Sequence, residues 1–135
     1  MSIKFEDYSN DIKNIIKEKS VAWLTEASGE IEAQTKRNCT VVTGKTKGSF
    51  THVVDEEALE GHIGSNYDNA IWEEFGTGLY ALEGNGRKTP WIYKDSKGKT
   101  YRTVGKKPKR MLHNAYHSLK GVLESSARSM FGGLK

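Results

Sequence analysis

A chain of 135 residues with 36% apolar and 28% charged side chains is long enough to bury a core as one domain, 1–135, but has little apolar material to fill it. No apolar run approaches the ~18 residues of a membrane span, no hydrophobic segment of a signal peptide follows Met1-Ser2-Ile3-Lys4, and the single cysteine, Cys39, has no partner in the chain, as expected of folding in a reducing cytoplasm without a membrane role. The net charge of +4 is unevenly spread: residues 1–86 hold 8 Lys/Arg against 15 Asp/Glu (net −7), whereas residues 87–110 hold 10 against Asp95 alone (net +9). Such a split suits head-to-tail self-association, or an acidic body presenting a basic loop.

Along residues 5–36, apolar positions recur at helical spacing through Tyr8, Ile12, Ile15/Ile16, Trp23/Leu24, Ala27 and Ile31, which predicts a long amphipathic helix with a core-facing stripe. Ser28-Gly29 is a place for a kink or a break, because glycine costs about 1 kcal/mol inside a helix. Residues 38–44 are expected to turn. The β-branched and aromatic run at residues 49–54 predicts a strand, with residues 58–64 as its return. Residues 67–75 are open to helix or strand, and a short helix with Ala70, Ile71 and Phe75 on one side is favoured.

Residues 76–90 are glycine-rich and predict a mobile loop. Trp91-Ile92-Tyr93-Lys94 and Thr100-Tyr101-Arg102-Thr103 alternate around Asp95-Ser96-Lys97-Gly98-Lys99, a hairpin signal. Residues 105–110 read as a basic linker. Met111, Leu112, Ala115, Tyr116, Leu119, Val122/Leu123, Met130 and Phe131 then mark a second amphipathic helix ending at Gly132-Gly133. The order of elements predicts an α+β fold: two helices packed on a small antiparallel sheet, with a glycine-rich loop and a β-hairpin.

Candidate chemistry is sparse. His113 and His117 stand four apart, a spacing that lets two imidazoles share a metal, but Asn114 replaces the glutamate of the protease motif and no third ligand is spaced for zinc. Two surface histidines are the simpler reading. Glu73 and Glu74 are sequence neighbours that point to different sides and so do not face one substrate; Glu74 is expected to brace the glycine turn after it. Lys36 and Arg37 would lower the Cys39 pKa if close, but nothing marks it as a nucleophile. Residues 84–89 lack the flanking strand, helix and Gly-Lys-Ser/Thr ending of a phosphate loop. No catalytic, metal or cofactor site is expected, and the chain does not read as an enzyme.

Two segments carry the functional expectation. Glu74, Phe75, Gly76, Thr77 and Gly78 form a candidate hinge, with Phe75 anchored in the core and the glycines releasing the loop at about 76–110. Beyond it, Arg87, Lys88, Lys94, Lys97, Lys99, Arg102, Lys106, Lys107, Lys109 and Arg110 are interleaved with Trp91, Tyr93 and Tyr101. Such a segment is open to three readings: a solvated hairpin with its aromatic face on its own core, a surface docked on an acidic protein, or a nucleic-acid contact.

Taken in order, these stretches resemble the small tail-completion or head–tail joining proteins of long-tailed double-stranded-DNA bacteriophages. The matching stretches are Cys39-Thr40-Val41-Val42-Thr43-Gly44 with Ser49, Ile63-Gly64-Ser65-Asn66, Asn69-Ala70 and Glu74-Phe75-Gly76-Thr77-Gly78. They continue with Pro90-Trp91, Tyr93, Asp95, Gly98-Lys99, Thr103, Gly105, Pro108 and Ala115. The resemblance runs over about residues 31–118, some two-thirds of the chain. Departures are Thr40 for a proline, Val42 for an aspartate, Thr46 for a leucine and Asn69 for a tyrosine, which bear on local packing. The resemblance implies a non-enzymatic virion part made in the bacterial host cytoplasm. It further implies a homo-oligomer, commonly a hexameric ring in the neck or tail that can be monomeric in solution. Its partners would be the head connector or stopper and the tail-tube or tail-terminator proteins, with DNA passing through the lumen. The alternative is a basic module that binds nucleic acid through residues 87–110.

Overall fold

A computed structural model describes residues 9–40, 44–95 and 97–132. Tyr8 of the first expected helix, Val41, Val42 and Thr43 of the turn, Ser96 of the hairpin turn and Gly133 at the end of the last helix lie outside the described residues. The fold is α+β. The elements are α1 (Ser9–Asn38), α2 (Lys45–Ser49), β1 (Phe50–Asp55), β2 (Glu60–Ser65), α3 (Asp68–Phe75), β3 (Trp91–Lys94), β4 (Thr100–Thr103) and α4 (Met111–Gly132). The strands form two separate antiparallel hairpins, β1–β2 and β3–β4.

The helix α1 runs unbroken through Ser28-Gly29. Ser28 is buried there, facing Gly61 of β2, so the small residues serve a close approach between helix and strand. A Cβ added at Gly61 would collide with the Ser28 hydroxyl. Helix α4 packs along α1, and the two meet through Ala27, Ile31 and Leu123, with Trp23 and Leu119 at the margin. The Trp23 indole Nε1–H donates to Ser126 Oγ at 2.8 Å across this seam. The expected apolar stripe does not stay inside along its whole length. Lys19 Nζ reaches the Met130 carbonyl near the end of α4, and Ile12, Ile15 and Ile16, which precede it on α1, are exposed, Ile12 by 54%.

A second small cluster joins Cys39, Phe50, Ala70 and Met111, with Tyr67 and Leu112 packed against it, and Leu112 also borders the α1–α4 seam. The Asn38 side-chain amide donates to the Met111 carbonyl, tying the end of α1 to the start of α4. Among the described residues both clusters are small, in keeping with the low apolar content. The hairpin β1–β2 pairs Phe50 with Ser65 and Asp55 with Glu60 and lies on α1. Its return strand begins at Glu60, two residues later than expected, because the turn takes up the residues between Asp55 and Glu60. The short α2 was not expected. It is held by Gly48 N–H donating to the Gly44 carbonyl at 2.9 Å and by Ser49 Oγ donating to the Thr46 carbonyl at 2.6 Å.

Candidate functional site

Helix α3 presents its faces in an unusual sense: its carboxylates Glu73 and Glu74 are buried beside Ala70, while Ile71, Trp72 and Phe75 face outward. A buried carboxylate is costly unless charge or hydrogen bonds compensate it. Glu74 is compensated by the first turn of α4. Its Oε2 accepts from the Leu112 N–H at 2.9 Å and its Oε1 from the His113 N–H at 3.0 Å, with the Arg110 guanidinium 4.0 Å away. These are among the amides a helix N-terminus leaves without intrahelical partners, where the helix dipole also favours an anion. Glu74 therefore braces the start of α4 rather than the glycine turn that follows it. Glu73 lies 3.9 Å from Lys106 Nζ, and its backbone carbonyl accepts from the Lys109 N–H at 2.7 Å.

The expected core anchor, Phe75, is 42% exposed. The inward position on that turn of α3 goes to Glu74, whose partners on α4 require it, and the Phe75 ring is left under the Arg110 guanidinium at 5.4 Å. Arg110 itself has a left-handed backbone (φ 54°), a conformation that costs a non-glycine residue about 1 kcal/mol or more, and it immediately precedes α4.

Beyond α3 the chain closes on itself in a backbone clasp. The Thr77 N–H donates to the Lys106 carbonyl and the Leu79 N–H to the Val104 carbonyl, both at 2.9 Å, while the Lys106 N–H donates to Thr77 Oγ1 at 2.9 Å. The Gly78 and Gly105 backbones touch here. A Cβ on Gly78 (φ 60°) would strike the Val104 carbonyl, and one on Gly105 (φ 132°) would strike that of Thr77. The stretch expected to act as a hinge is thus fastened to the far side of the loop that it was expected to release. Residues 81–90 fold back over this clasp, with Gly86 against Gly78 and the Leu82 N–H donating to the Phe75 carbonyl at 2.9 Å.

The clasp carries the second hairpin. Trp91 pairs with Thr103 and Tyr93 with Tyr101, whose rings stack at 5.4 Å. Asp95 makes the turn, its Oδ1 accepting from the N–H groups of Lys97 and Lys99 at 2.9 Å each. The cations lie on the aromatic groups: Arg87 over Trp91 at 5.7 Å, Lys99 over Tyr101 at 5.2 Å and Lys107 over Tyr80 at 5.7 Å. Lys88, Lys94, Lys97, Arg102 and Lys109 are exposed around them. A cleft of about 350 Å³ between α3 and the hairpin is walled by Trp72, Trp91, Tyr93 and Lys106. Desolvation, then the Asp95 charge, hold the Tyr101 phenol above its usual range.

The remaining sequence candidates do not join this site. Cys39 is buried, its Sγ directed to the Thr35 carbonyl at 3.2 Å. Burial, then the Glu73 charge, push its thiol up, so the lowering expected from Lys36 and Arg37 is not realised. His113 and His117 lie on the exposed side of α4 with ring centres 4.2 Å apart, and no group of three possible metal ligands gathers among the described residues. Desolvation and then the neighbouring Arg110 hold His113 below the usual imidazole range. Glu74 as a cap of α4 was missed at the sequence level, because its partner lies 38 residues away. No protein-family model, curated protein or solved structure matches the chain.

Proposed function

We propose that this protein is a structural part of the neck of a long-tailed bacteriophage, a tail-completion or head–tail joining protein. In this reading its copies form a ring between the head connector and the tail tube or its terminator, with DNA passing through the lumen. The observation that carries the reading is the apolar surface left bare around α3 and the clasp. Ile71 and Trp72 are each 53% exposed and Phe75 42%, and the three line one open hollow together with Trp91. Large side chains grouped on a surface in this way mark a place where another molecule sits. The split between an acidic body and a basic segment supports contacts between unlike surfaces, which is what a closed ring of identical copies requires. The motif order over residues 31–118 is what points to the neck in particular.

Removing the gene from the phage or prophage that carries it tests the reading. Electron micrographs should then show filled heads and separate tails, with joined particles restored by supplying the protein in trans. Normal joined particles without the protein would overturn it. A second reading, in which the basic hairpin binds nucleic acid, draws on the density of exposed cations there. Against it, the Trp91 and Tyr101 rings on which bases would stack already carry Arg87 and Lys99. Micromolar retention of duplex DNA at physiological salt would favour it.

A further inference from the structure

The two hairpins carry complementary surfaces. The turn of the first bears Asp55, Glu56, Glu57 and Glu60 around Leu59, which is 38% exposed. Leu59 has a left-handed backbone, φ 55°, in a turn where glycine would be free of strain. A branched side chain held there costs of order 1 kcal/mol, and such an outlier points to a use for the side chain beyond the turn. The turn is already fixed by Asp55, whose Oδ1 accepts from the Glu57 and Ala58 N–H groups at 3.0 Å each. The tip's own partners are slight: Lys17 reaches Glu57 at 3.2 Å and the His62 imidazole reaches Glu60 at 3.3 Å, both in exposed pairs. Exposed pairs of this kind contribute about 0–1 kcal/mol.

The second hairpin is the converse. Strand alternation puts Ile92, Lys94, Thr100 and Arg102 on the face opposite the stacked tyrosines, with Ile92 69% exposed and cross-strand from Arg102. Lys97 extends the positive charge to the turn, whereas Lys99 sits over Tyr101 on the tyrosine face. An apolar centre inside a charged rim is the arrangement of a protein interface, and each hairpin has one, of opposite sign. Among the described residues, the two hairpins of one copy make no extended packing with each other.

We propose that the β1–β2 tip of one copy seats on the outer face of β3–β4 in the next, with Leu59 on Ile92 and Glu56 and Glu57 among Lys94, Lys97 and Arg102. Like tips repel, so the contact is head-to-tail, and repetition gives a ring or an open chain according to the rotation between copies. The inference rests on the ring reading above and specifies its contact. Because the rims are exposed, the contact is strong at low salt and is screened as salt rises.

A zero-length carbodiimide coupling reads it directly, since only a carboxylate touching a lysine amine becomes an amide. Ordinary and heavy-nitrogen-labelled protein are mixed at high concentration in ~0.02 M salt, coupled and analysed by mass spectrometry. Mixed-isotope links from Glu56 or Glu57 to Lys94 or Lys97 are expected, and their yield should fall about tenfold or more at ~0.5 M salt. Glu56→Lys with Glu57→Lys should suppress assembly, as should Lys94→Glu with Lys97→Glu, and mixing the two reversed chains should restore it. Circular dichroism checks that both variants fold. Links within one chain only, links confined to other surfaces, or a chain monomeric at every concentration would overturn the contact. So would a hairpin that binds duplex DNA and gives no protein link. In each case the neck reading would still stand or fall on the gene-removal experiment.

Discussion

The hairpin β1–β2 lies against α1 along both strands, whereas β3–β4 stands on the clasp and, among the described residues, packs broadly against no helix. Their turns are made alike, each by an aspartate at the end of the first strand whose carboxylate gathers two backbone N–H groups of the loop. The difference lies in what each strand offers its neighbours. In the first hairpin Gly61 admits the Ser28 side chain, and Ile63 meets the α1–α4 cluster. In the second, Tyr93 stacks on Tyr101 within the hairpin, and Ile92 faces solvent. Local turn chemistry makes a hairpin; only side-chain fit decides whether it joins the body or stays free for another molecule.

The strongest way to break this arrangement is at the joint between the arm and the body. Glu74→Ala removes the acceptor of the Leu112 and His113 amides and leaves the neighbouring Arg110 without its carboxylate. Charge-assisted hydrogen bonds contribute about 1.5–3 kcal/mol each and a lost helix cap about 1 kcal/mol, so a loss of about 3 kcal/mol is expected in urea unfolding. Glu74→Gln keeps one acceptor oxygen and should recover roughly half of it. If both variants matched the wild type, the carboxylate would not be what holds the base of the arm to α4.

That joint marks the limit of what the sequence disclosed. Both long helices and both hairpins were legible, because apolar periodicity and turn residues act over a few positions. The glycines at 76 and 78 were legible as special backbone, but not as parts of one clasp with Gly105, since nothing in the sequence ties residues 77–79 to 104–106. The placement of Phe75 failed for a related reason. Apolar character alone puts it inward, but the outcome was set by amides at Leu112 and His113 that needed an anion. The one-turn α2 escaped because five residues containing a glycine hold no period, and its hold depends on Gly44 in the left-handed conformation. The outward Ile12, Ile15 and Ile16 show the converse limit: a stripe can be read from spacing, but the length over which a partner helix covers it cannot.

A smaller effect tests how the first hairpin joins the body. Gly61→Val places a branched side chain against Ser28, with the Leu24 side chain 3.7 Å from the new Cβ. Overpacking of this kind costs about 1–3 kcal/mol, and about 2 kcal/mol is expected from thermal or urea unfolding. Part of the strain falls on the Ser28 hydroxyl, so Ser28→Ala should reduce the cost of Gly61→Val, giving a favourable coupling in the double variant. Strict additivity would mean that the strand avoids the helix by shifting as a whole.

The finest test compares the turns directly. Asp55→Ala and Asp95→Ala each remove an acceptor of two backbone N–H groups from an exposed loop. Their local cost is similar, about 1 kcal/mol, because water replaces part of what is lost. Their global cost should differ. Opening β1–β2 uncovers α1, so Asp55→Ala should lower the free energy of unfolding by about 1 kcal/mol. Opening β3–β4 uncovers little, so Asp95→Ala should change global unfolding by less than about 0.3 kcal/mol while amide exchange at Lys99 and Tyr101 speeds up. Net charge opposes this ranking: losing Asp55 relieves repulsion among Glu56, Glu57 and Glu60, whereas losing Asp95 removes the one anion among ten cations of residues 87–110. Asp→Asn at each site retains an acceptor and drops the charge, which separates the two contributions. If Asp95→Ala proved the more damaging while Asp95→Asn did not, the turn geometry would be coupled through the clasp to α4, and the second hairpin would belong to the body after all.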